Sequence, residues 1–449
     1  GVSSTLVAAF LIFGGFLEKC GTGAYFMEVA QAFTGTAPGG PANIAVMSSC
    51  LFGSISGSAV ANVYGTGTFT IPLMKKIGYP AHFAGAVEAV ASSGGQIMPP
   101  VMGAGAFLMA SFLGVPFVKI MTAAIVPALL YYGAVFLMIR LEALKCGLRG
   151  LTAEELPKKS AVLKRAYLFA PIIALVYFLL IGYTPMRAAV IGVGVAWLSS
   201  LPKKETRMGP KAVIDAIYGG CKSITLVCVA CASAGTVLGS VALTGVGVKL
   251  VGFVLAFSRG IPLIALFLVM IVSLILGMGL PTTGAYILAA ALGVPILTTL
   301  GFPPLAAHMF VFYYAIISNI TPPVALAAYA ASSIAGSDAN KTGFTACKLG
   351  FLAFVTPFAF CYDQGILLQL DLLGNCYGII ACIAACFGFG FAIMGYLNRP
   401  LAKWERVLFV TLAIAALSPN QAATIIGFIG TIALSVVLAK VKKGKAAAA

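Results

Sequence analysis

Apolar residues run through this chain in blocks separated by short polar loops, and small polar residues cluster inside some of those blocks. Val2–Phe16 is one apolar block and Tyr25–Phe33 a short amphipathic one. Asn43–Ser58 and Ala59–Met74 each hold about sixteen residues, short for a membrane crossing of about twenty. They meet at Gly53-Ser-Ile-Ser-Gly-Ser58, which predicts a hairpin that enters and leaves the bilayer on one side. Ala81–Leu113 follows as a long apolar run interrupted by Gly94-Gly-Gln-Ile-Met-Pro-Pro100. Further crossings are predicted over Met121–Leu141, Val162–Ile181, Arg187–Leu201 and Ala212–Leu243. A second pair of short pieces, Ile261–Leu276 and Ala285–Leu300, meets at Gly277-Met-Gly-Leu-Pro-Thr-Thr-Gly284. Pro304–Ala335 is again long and broken, at Ser318-Asn-Ile-Thr-Pro-Pro323, and Lys348–Tyr362, Cys376–Leu397, Arg406–Leu417 and Ala422–Leu438 complete the chain. Proline removes a backbone donor and clashes with the preceding turn, and glycine loses more backbone entropy on ordering, so both breaks disfavour a continuous helix.

The two interrupted regions are copies of each other. Adding 223 to a position maps Ile71-Pro72-Leu73 onto Val294-Pro295-Ile296 and Gly78-Tyr79-Pro80 onto Gly301-Phe302-Pro303. The same shift maps Ile97, Pro99, Pro100, Val101 and Ala104 onto Ile320, Pro322, Pro323, Val324 and Ala327, and one residue of slip aligns Gly53 with Gly277. A hairpin returns to its starting side, so five crossings separate the two hairpin mouths. Five is odd, which predicts an inverted-topology repeat. The predicted organisation is N-terminal scaffold helices over 1–40 and a first transport repeat over 41–141, with its hairpin at 42–74 and broken helix at 81–113. Scaffold helices and connecting arms fill 142–260, and a second repeat fills 261–362, with hairpin 261–300 and broken helix 304–335. C-terminal helices and a basic tail occupy 363–449.

Composition agrees with a polytopic, all-α membrane protein. Of 449 residues, 61% are hydrophobic and 9% charged, and mean hydropathy is +1.05, more apolar surface than a soluble fold can hide. The net charge of +16 does not imply nucleic-acid binding, because the basic residues sit in loops between spans. Alternating sides from Lys75 and Lys76 at the first hairpin mouth collects Arg140, Lys145, Lys158, Lys164, Lys203, Lys204, Arg207 and Lys440 to Lys445 on one face. By the positive-inside rule that face is cytoplasmic. The eleven cysteines lie mostly within apolar runs, and Cys228-Val-Ala-Cys231 has no second pair or nearby histidine to complete a metal or redox motif.

Irregular backbone at membrane depth survives only where protein buries it or where it lines a cavity, and paired interruptions point to a transporter's binding site. Half-helix N-termini suit a carboxylate, while unwound carbonyls, hydroxyls and amide oxygens suit sodium. The candidates are Ser54, Ser56, Ser58, Asn62, Ser92, Ser93 and Gln96 in the first copy, and Thr282, Thr283, Ser318, Asn319 and Thr321 in the second. Such residues also allow tight helix packing. Glu88 stands inside an apolar run, where a carboxylate costs about 2.5–3.5 kcal/mol and usually faces a cavity or a partner. It is either a functional charge or an anchor for the unwound segment. Lys222 is placed to snorkel, and His82 and His308 read as ordinary polar contacts. No Walker A sequence, metal-ligand cluster or nucleophile–base pair is present, so an enzyme is disfavoured and energy would come from an ion gradient or a partner.

Phe52-Gly-Ser-Ile-Ser-Gly-Ser58, Gly85-Ala-Val-Glu-Ala-Val-Ala-Ser-Ser-Gly-Gly-Gln-Ile-Met-Pro-Pro100, Gly277–Thr283 and Ile320-Thr-Pro-Pro323 resemble the large membrane component of tripartite ATP-independent periplasmic (TRAP) transporters. The wording around Glu88 resembles the TAXI subgroup, whose permeases are commonly fused. The resemblance implies sodium-coupled uptake of an organic acid anion across the bacterial inner membrane, with no organic cofactor. It implies an elevator movement and delivery by a periplasmic TAXI-type binding protein. Fused permeases begin with extra helices equivalent to the small component, whereas this chain begins almost at the large one. A four-helix small component, separate or fused, is therefore an expected partner in the bilayer.

Carried onto this chain, the family's first sodium site falls on Gly53, Ser54, Ser56, Gly94, Gly95 and Gln96. The second falls on Gly277, Gly279, Thr282, Ser318, Asn319 and Thr321. Substrate would lie between the tips, near Ser56, Ser58, Asn62, Glu88, Gln96, Pro281, Thr282 and Thr283. A stand-alone sodium–carboxylate symporter that needs no binding protein fits the same pattern. An ion channel is a further class, less suited to an inverted pair within one chain.

Overall fold

The computed structural model describes residues 7–440. All the regular elements there are helical. In order they are α1 (Ala8–Lys19), α2 (Thr22–Thr34), α3 (Gly40–Ser56), α4 (Ala59–Lys76), α5 (Ala81–Gly94), α6 (Ala104–Leu113) and α7 (Phe117–Cys146). Next come α8 (Lys159–Leu163), α9 (Ala170–Leu180), α10 (Pro185–Ser200), α11 (Pro210–Thr244), α12 (Val246–Ser258), α13 (Pro262–Gly277) and α14 (Thr282–Thr299). The chain continues through α15 (Pro304–Ile317), α16 (Leu326–Ala335), α17 (Ala339–Leu349), α18 (Phe351–Tyr362), α19 (Leu372–Met394), α20 (Lys403–Ala416) and α21 (Gln421–Lys440). Among the described residues, five helices are long and apolar enough to cross a membrane unaided, and a sixth crossing arises if α17 and α18, bent by 41°, count as one. The other apolar helices, among them α6, α13, α15 and α16, are ten to seventeen residues long.

Two equivalent three-helix units form the centre. Helices α3, α4 and α5 pack on one another, and so do α13, α14 and α15. The second half of each broken helix then crosses over: α16 packs on α4 and α5, and α6 packs on α14 and α15. Each copy thus houses the end of the other. Helix α1 packs on α10 and α11 beside this centre, and α19 packs on α7, α20 and α21. Large apolar side chains such as Ile173, Val190, Phe253 and Ile426 are exposed on the outer helices, as expected of a surface whose solvent is hydrocarbon.

Three segments differ from the sequence expectation. The crossing expected over Val162–Ile181 is divided into α8, a 3-10 turn at Ala166–Phe169, and α9. The charged pair Lys164-Arg165 interrupts it, and Arg165 is drawn into an ion pair with Glu28 at 2.5 Å. Lys348–Tyr362 is not one straight span but bends at Gly350, between α17 and α18. Helix α12 has no counterpart in the sequence expectation, because its Lys249 and flanking glycines hide a thirteen-residue helix in what reads as a loop. The start of Val2–Phe16 and the tail beyond Lys440 lie outside the described residues.

Candidate functional site

The tips and breaks meet in pairs. Helix α3 ends at Gly57, whose φ of +63° closes the helix with a bond from its N–H to Gly53 O. Ser58 then turns back in an extended conformation and caps α4 through its hydroxyl, which accepts from Ala61 N at 3.4 Å. Gly53, one turn earlier, lies against the first break: a Cβ on Gly95 would stand 2.5 Å from Gly53 Cα. In the second copy a Cβ on Gly277 would stand 2.5 Å from Ser318 Oγ, and that hydroxyl donates to Gly277 O at 3.2 Å. Gly95 and Ser318 are related by the 223 shift. Close approach without a side chain is what a glycine permits here.

The unwound segments are held by equivalent main-chain bonds. Gly103 N donates to Gln96 O at 2.7 Å, and Ala327 N donates to Asn319 O at 2.9 Å. Gln96 and Asn319 are again 223 apart. Met102 N also donates to Ser54 O at 3.1 Å, which ties the first break to the first tip.

Between the two tips lies a cavity of about 370 Å³. Its polar lining is Ser56, Ser58, Gln96, Thr282, Thr283 and Asn319, with Ser223 contributed by α11. Val7, Phe10 and Phe107 supply apolar walls, and Pro281 stands at the N-terminus of α14. Ser56 Oγ and Gln96 Oε1 are buried without a hydrogen-bond partner. Asn319 Nδ2 donates to Thr282 Oγ1 at 3.1 Å and to Ile316 O at 3.0 Å. A buried polar atom without a partner costs about 1–3 kcal/mol, so the Ser56 and Gln96 oxygens hold unused acceptor capacity beside the cavity.

Other candidate residues stand elsewhere. Asn62 and Glu88, read as touching the solute, do not line the cavity. Asn62 Nδ2 donates to Ser49 O at 2.9 Å, behind Gly53. Glu88 is fully buried. Its Oε1 accepts from Ser49, Thr66 and Ser92 at 2.7, 2.5 and 3.1 Å, and its Oε2 accepts from Thr70 at 2.5 Å. The carboxyl therefore joins α3, α4 and α5 into one unit. Gly94 packs on the Tyr131 ring, Ser54 Oγ returns to Leu51 O, and Thr321 Oγ1 returns to Ile317 O. Gly279, with φ of +73°, shapes the second tip beside Val324. Lys222 is exposed on α11, and His308 Nδ1 pairs with the Tyr286 hydroxyl at 2.8 Å.

Sequence reasoning missed Ser49, Thr66 and Thr70. A signal was present: Asn62, Thr66 and Thr70 recur at intervals of four along α4, a polar stripe on one helix face. Ser223, Val7 and Phe107 carried no such signal, because only the packing of α1, α6 and α11 brings them to the cavity.

The family described as tripartite ATP-independent periplasmic transporter, DctM component, matches residues 2–369. The chain belongs to that family. The C4-dicarboxylate TRAP transporter large permease of Pseudomonas aeruginosa is 26% identical over 342 residues, covering 74% of this chain and 78% of the relative. The sialic acid TRAP transporter large permease of Vibrio cholerae is 24% identical over 340 residues, covering 74% and 77%. The 2,3-diketo-L-gulonate TRAP transporter large permease of Escherichia coli is 22% identical over 319 residues, covering 70% and 74%. As a TRAP large permease the chain is a multi-pass inner-membrane protein of secondary solute uptake, not an enzyme. Permeases of this family work with a periplasmic solute-binding protein and a small membrane component.

Proposed function

We propose that this TRAP permease carries an organic acid anion together with sodium ions by an elevator movement, and that a TAXI-type periplasmic protein delivers the solute. The observation that carries this reading is the cavity between the tips, lined by Ser56 and Gln96, each with an unpartnered buried oxygen, and by Pro281 and Thr282 at the N-terminus of α14. The helix end, with the Thr282 and Thr283 hydroxyls, suits a carboxylate. The oxygens of Ser56, Gln96, Thr282 and Asn319 are of the hard, neutral kind that sodium takes, and a sodium ion would offset the anion's charge where no fixed cation lines the cavity. In this reading α3–α4 and α13–α14 are re-entrant hairpins of an inverted repeat. They would move as one body with the broken helices, past a static frame that includes α1, α10 and α11. The four hydroxyls of the Glu88 cage fit a positioning role, holding both arms of the first hairpin to α5 during that movement.

The test is uptake into proteoliposomes holding this chain and its small component, with a panel of labelled organic acids. Uptake should require both a sodium gradient and the cognate binding protein. Sodium-driven uptake without the binding protein would support a stand-alone symporter instead, and uptake indifferent to sodium would refute the coupling.

A further inference from the structure

A second hollow, of about 470 Å³, adjoins the cavity between the tips and shares Leu11, Ile55, Ser56, Ala61 and Ser223 with it, so only those residues lie between the two spaces. This second space is a groove between α1, α11 and the first hairpin. Six glycines line it, Gly14, Gly15, Gly23, Gly65, Gly219 and Gly220; five of them let neighbouring backbone or the Phe52 ring approach closely, and Gly219 faces open space. A Cβ on Gly219 would meet nothing within 4 Å.

Residue order fixes where the groove leads. Along α1 the lining passes from Val7 and Phe10 at the cavity to Gly14, Gly15 and finally Glu18. Along α11 it passes in reverse, from Val227 through Ser223 to Gly219. Helix α1 ends and α11 begins beside the turn at Gly21, where a Cβ would stand 2.7 Å from Thr206 Cγ2. Thr206 lies in the loop that carries Lys203, Lys204 and Arg207. A loop so rich in basic residues is on the cytoplasmic side. Among the residues lining the groove only Glu18 carries a charge, and it takes part in none of the ion pairs among the described residues.

We propose that this groove is the cytoplasmic passage of the cavity and that Glu18, near its mouth, guides the coupling cation in and out. A carboxylate on a groove with low-dielectric walls raises the local cation concentration and repels anions. It therefore sets how strongly internal sodium opposes uptake, while external sodium, arriving by another route, does not meet it. The role of Glu18 rests on the sodium-coupled reading above; the passage itself does not.

Two measurements separate these parts. Full-length Gly219→Cys and Ser223→Cys variants in native membranes are treated with a membrane-impermeant maleimide, and the modified residue is located by fragment masses. Both should be labelled in inverted vesicles and spared in intact spheroplasts. A Gly194→Cys variant, at an exposed position on α10 away from the groove, should stay unlabelled in both. Labelling from the outer side, or none from the inner side, overturns the passage. In proteoliposomes Glu18→Gln should raise the internal sodium concentration that half-inhibits uptake about threefold or more, with half-saturation by external sodium unchanged. Equal shifts on both sides, or no shift, overturn the role of Glu18. Parent protein that ignores sodium sinks the coupling reading and Glu18's role with it, and leaves the labelling result to judge the passage.

Discussion

Lys75 Nζ donates a 2.7 Å hydrogen bond to the carbonyl oxygen of Ala335, 260 residues further along the chain. Ala335 ends α16, and Gly336 follows with φ of +66°. A cation there satisfies an orphan carbonyl and complements the negative end of the helix. Lys75 sits in the last turn of α4, so this contact fastens the first hairpin to the second copy's broken helix. Lys75→Met should lower stability by about 1–2 kcal/mol, visible as a lower melting temperature in detergent. An unchanged melting temperature would mean that water replaces the bond.

Glu88→Gln and Glu88→Ala should behave differently. Glutamine keeps the length and can still bond the four surrounding hydroxyls, so the protein should fold and express. Alanine leaves Ser49, Thr66, Thr70 and Ser92 without their shared partner, a loss of about 3 kcal/mol or more. If Glu88→Gln also leaves transport and its pH profile unchanged, Glu88 acts by position alone.

Asn319→Ala removes the amide that bridges Thr282 to the second break. Half-saturation by sodium should rise roughly tenfold, the equivalent of one lost contact of about 1.4 kcal/mol. Normal sodium activation in the mutant would refute Asn319 as part of the cation site.

The paired glycine contacts give a contrast. Gly95→Ala drives a methyl group into the Gly53 backbone, which cannot yield. Gly277→Ala clashes only with the Ser318 side chain, at Oγ and at Cβ; the hydroxyl can rotate away and lose its 3.2 Å bond, and a small shift of α15 relieves the rest. Overpacking against backbone costs about 1–3 kcal/mol, so Gly95→Ala should abolish uptake where Gly277→Ala only reduces it. Equal effects would show that the second contact is as rigid as the first.

How legible this was depended on the kind of residue. Gly94–Pro100 and Ser318–Pro323 announce their breaks because proline and glycine act locally, and the 223 shift by itself makes Gln96 and Asn319 counterparts. The cavity's polar lining follows from the same motifs. Glu88 was visible as an odd residue, but its four partners come from three helices; Ser92 in its own run and the Thr66–Thr70 stripe were visible as polar positions, and nothing in the sequence pairs them or Ser49 with Glu88. Val7, Phe10, Phe107 and Ser223 were equally hidden, since they reach the cavity by docking of distant helices. Helix α12 was lost because thirteen residues with a lysine resemble a loop.

Acid should loosen the turn between α19 and α20. Glu405 accepts from Arg399 Nη2 and Nη1 at 2.5 and 3.0 Å and from Ala402 N at 2.8 Å. The Arg399 hydrogen bonds hold its carboxyl below the usual carboxylate range. A depressed pKa in the folded state contributes stability that is full above the unfolded value, about 4.3 for glutamate. That stability is lost as pH falls toward and through the folded value. Melting temperature should therefore drop below about pH 4, and Glu405→Gln should flatten that drop while lowering stability at neutral pH. A mutant with the parent's acid profile would remove Glu405 from the explanation.

The exchange of half-helices bears on the origin of the chain. Helix α16 rests on α4 and α5, and α6 on α14 and α15, so each copy covers part of the other's apolar surface. A gene encoding one copy would make a subunit able to bury those surfaces only by trading ends with a twin. Joined in one chain, the two copies keep a fixed stoichiometry and each can differ from the other, as Gly95 in one differs from its counterpart Ser318 in the other. Fragments cut between α12 and α13 should accordingly be insoluble alone and recoverable together.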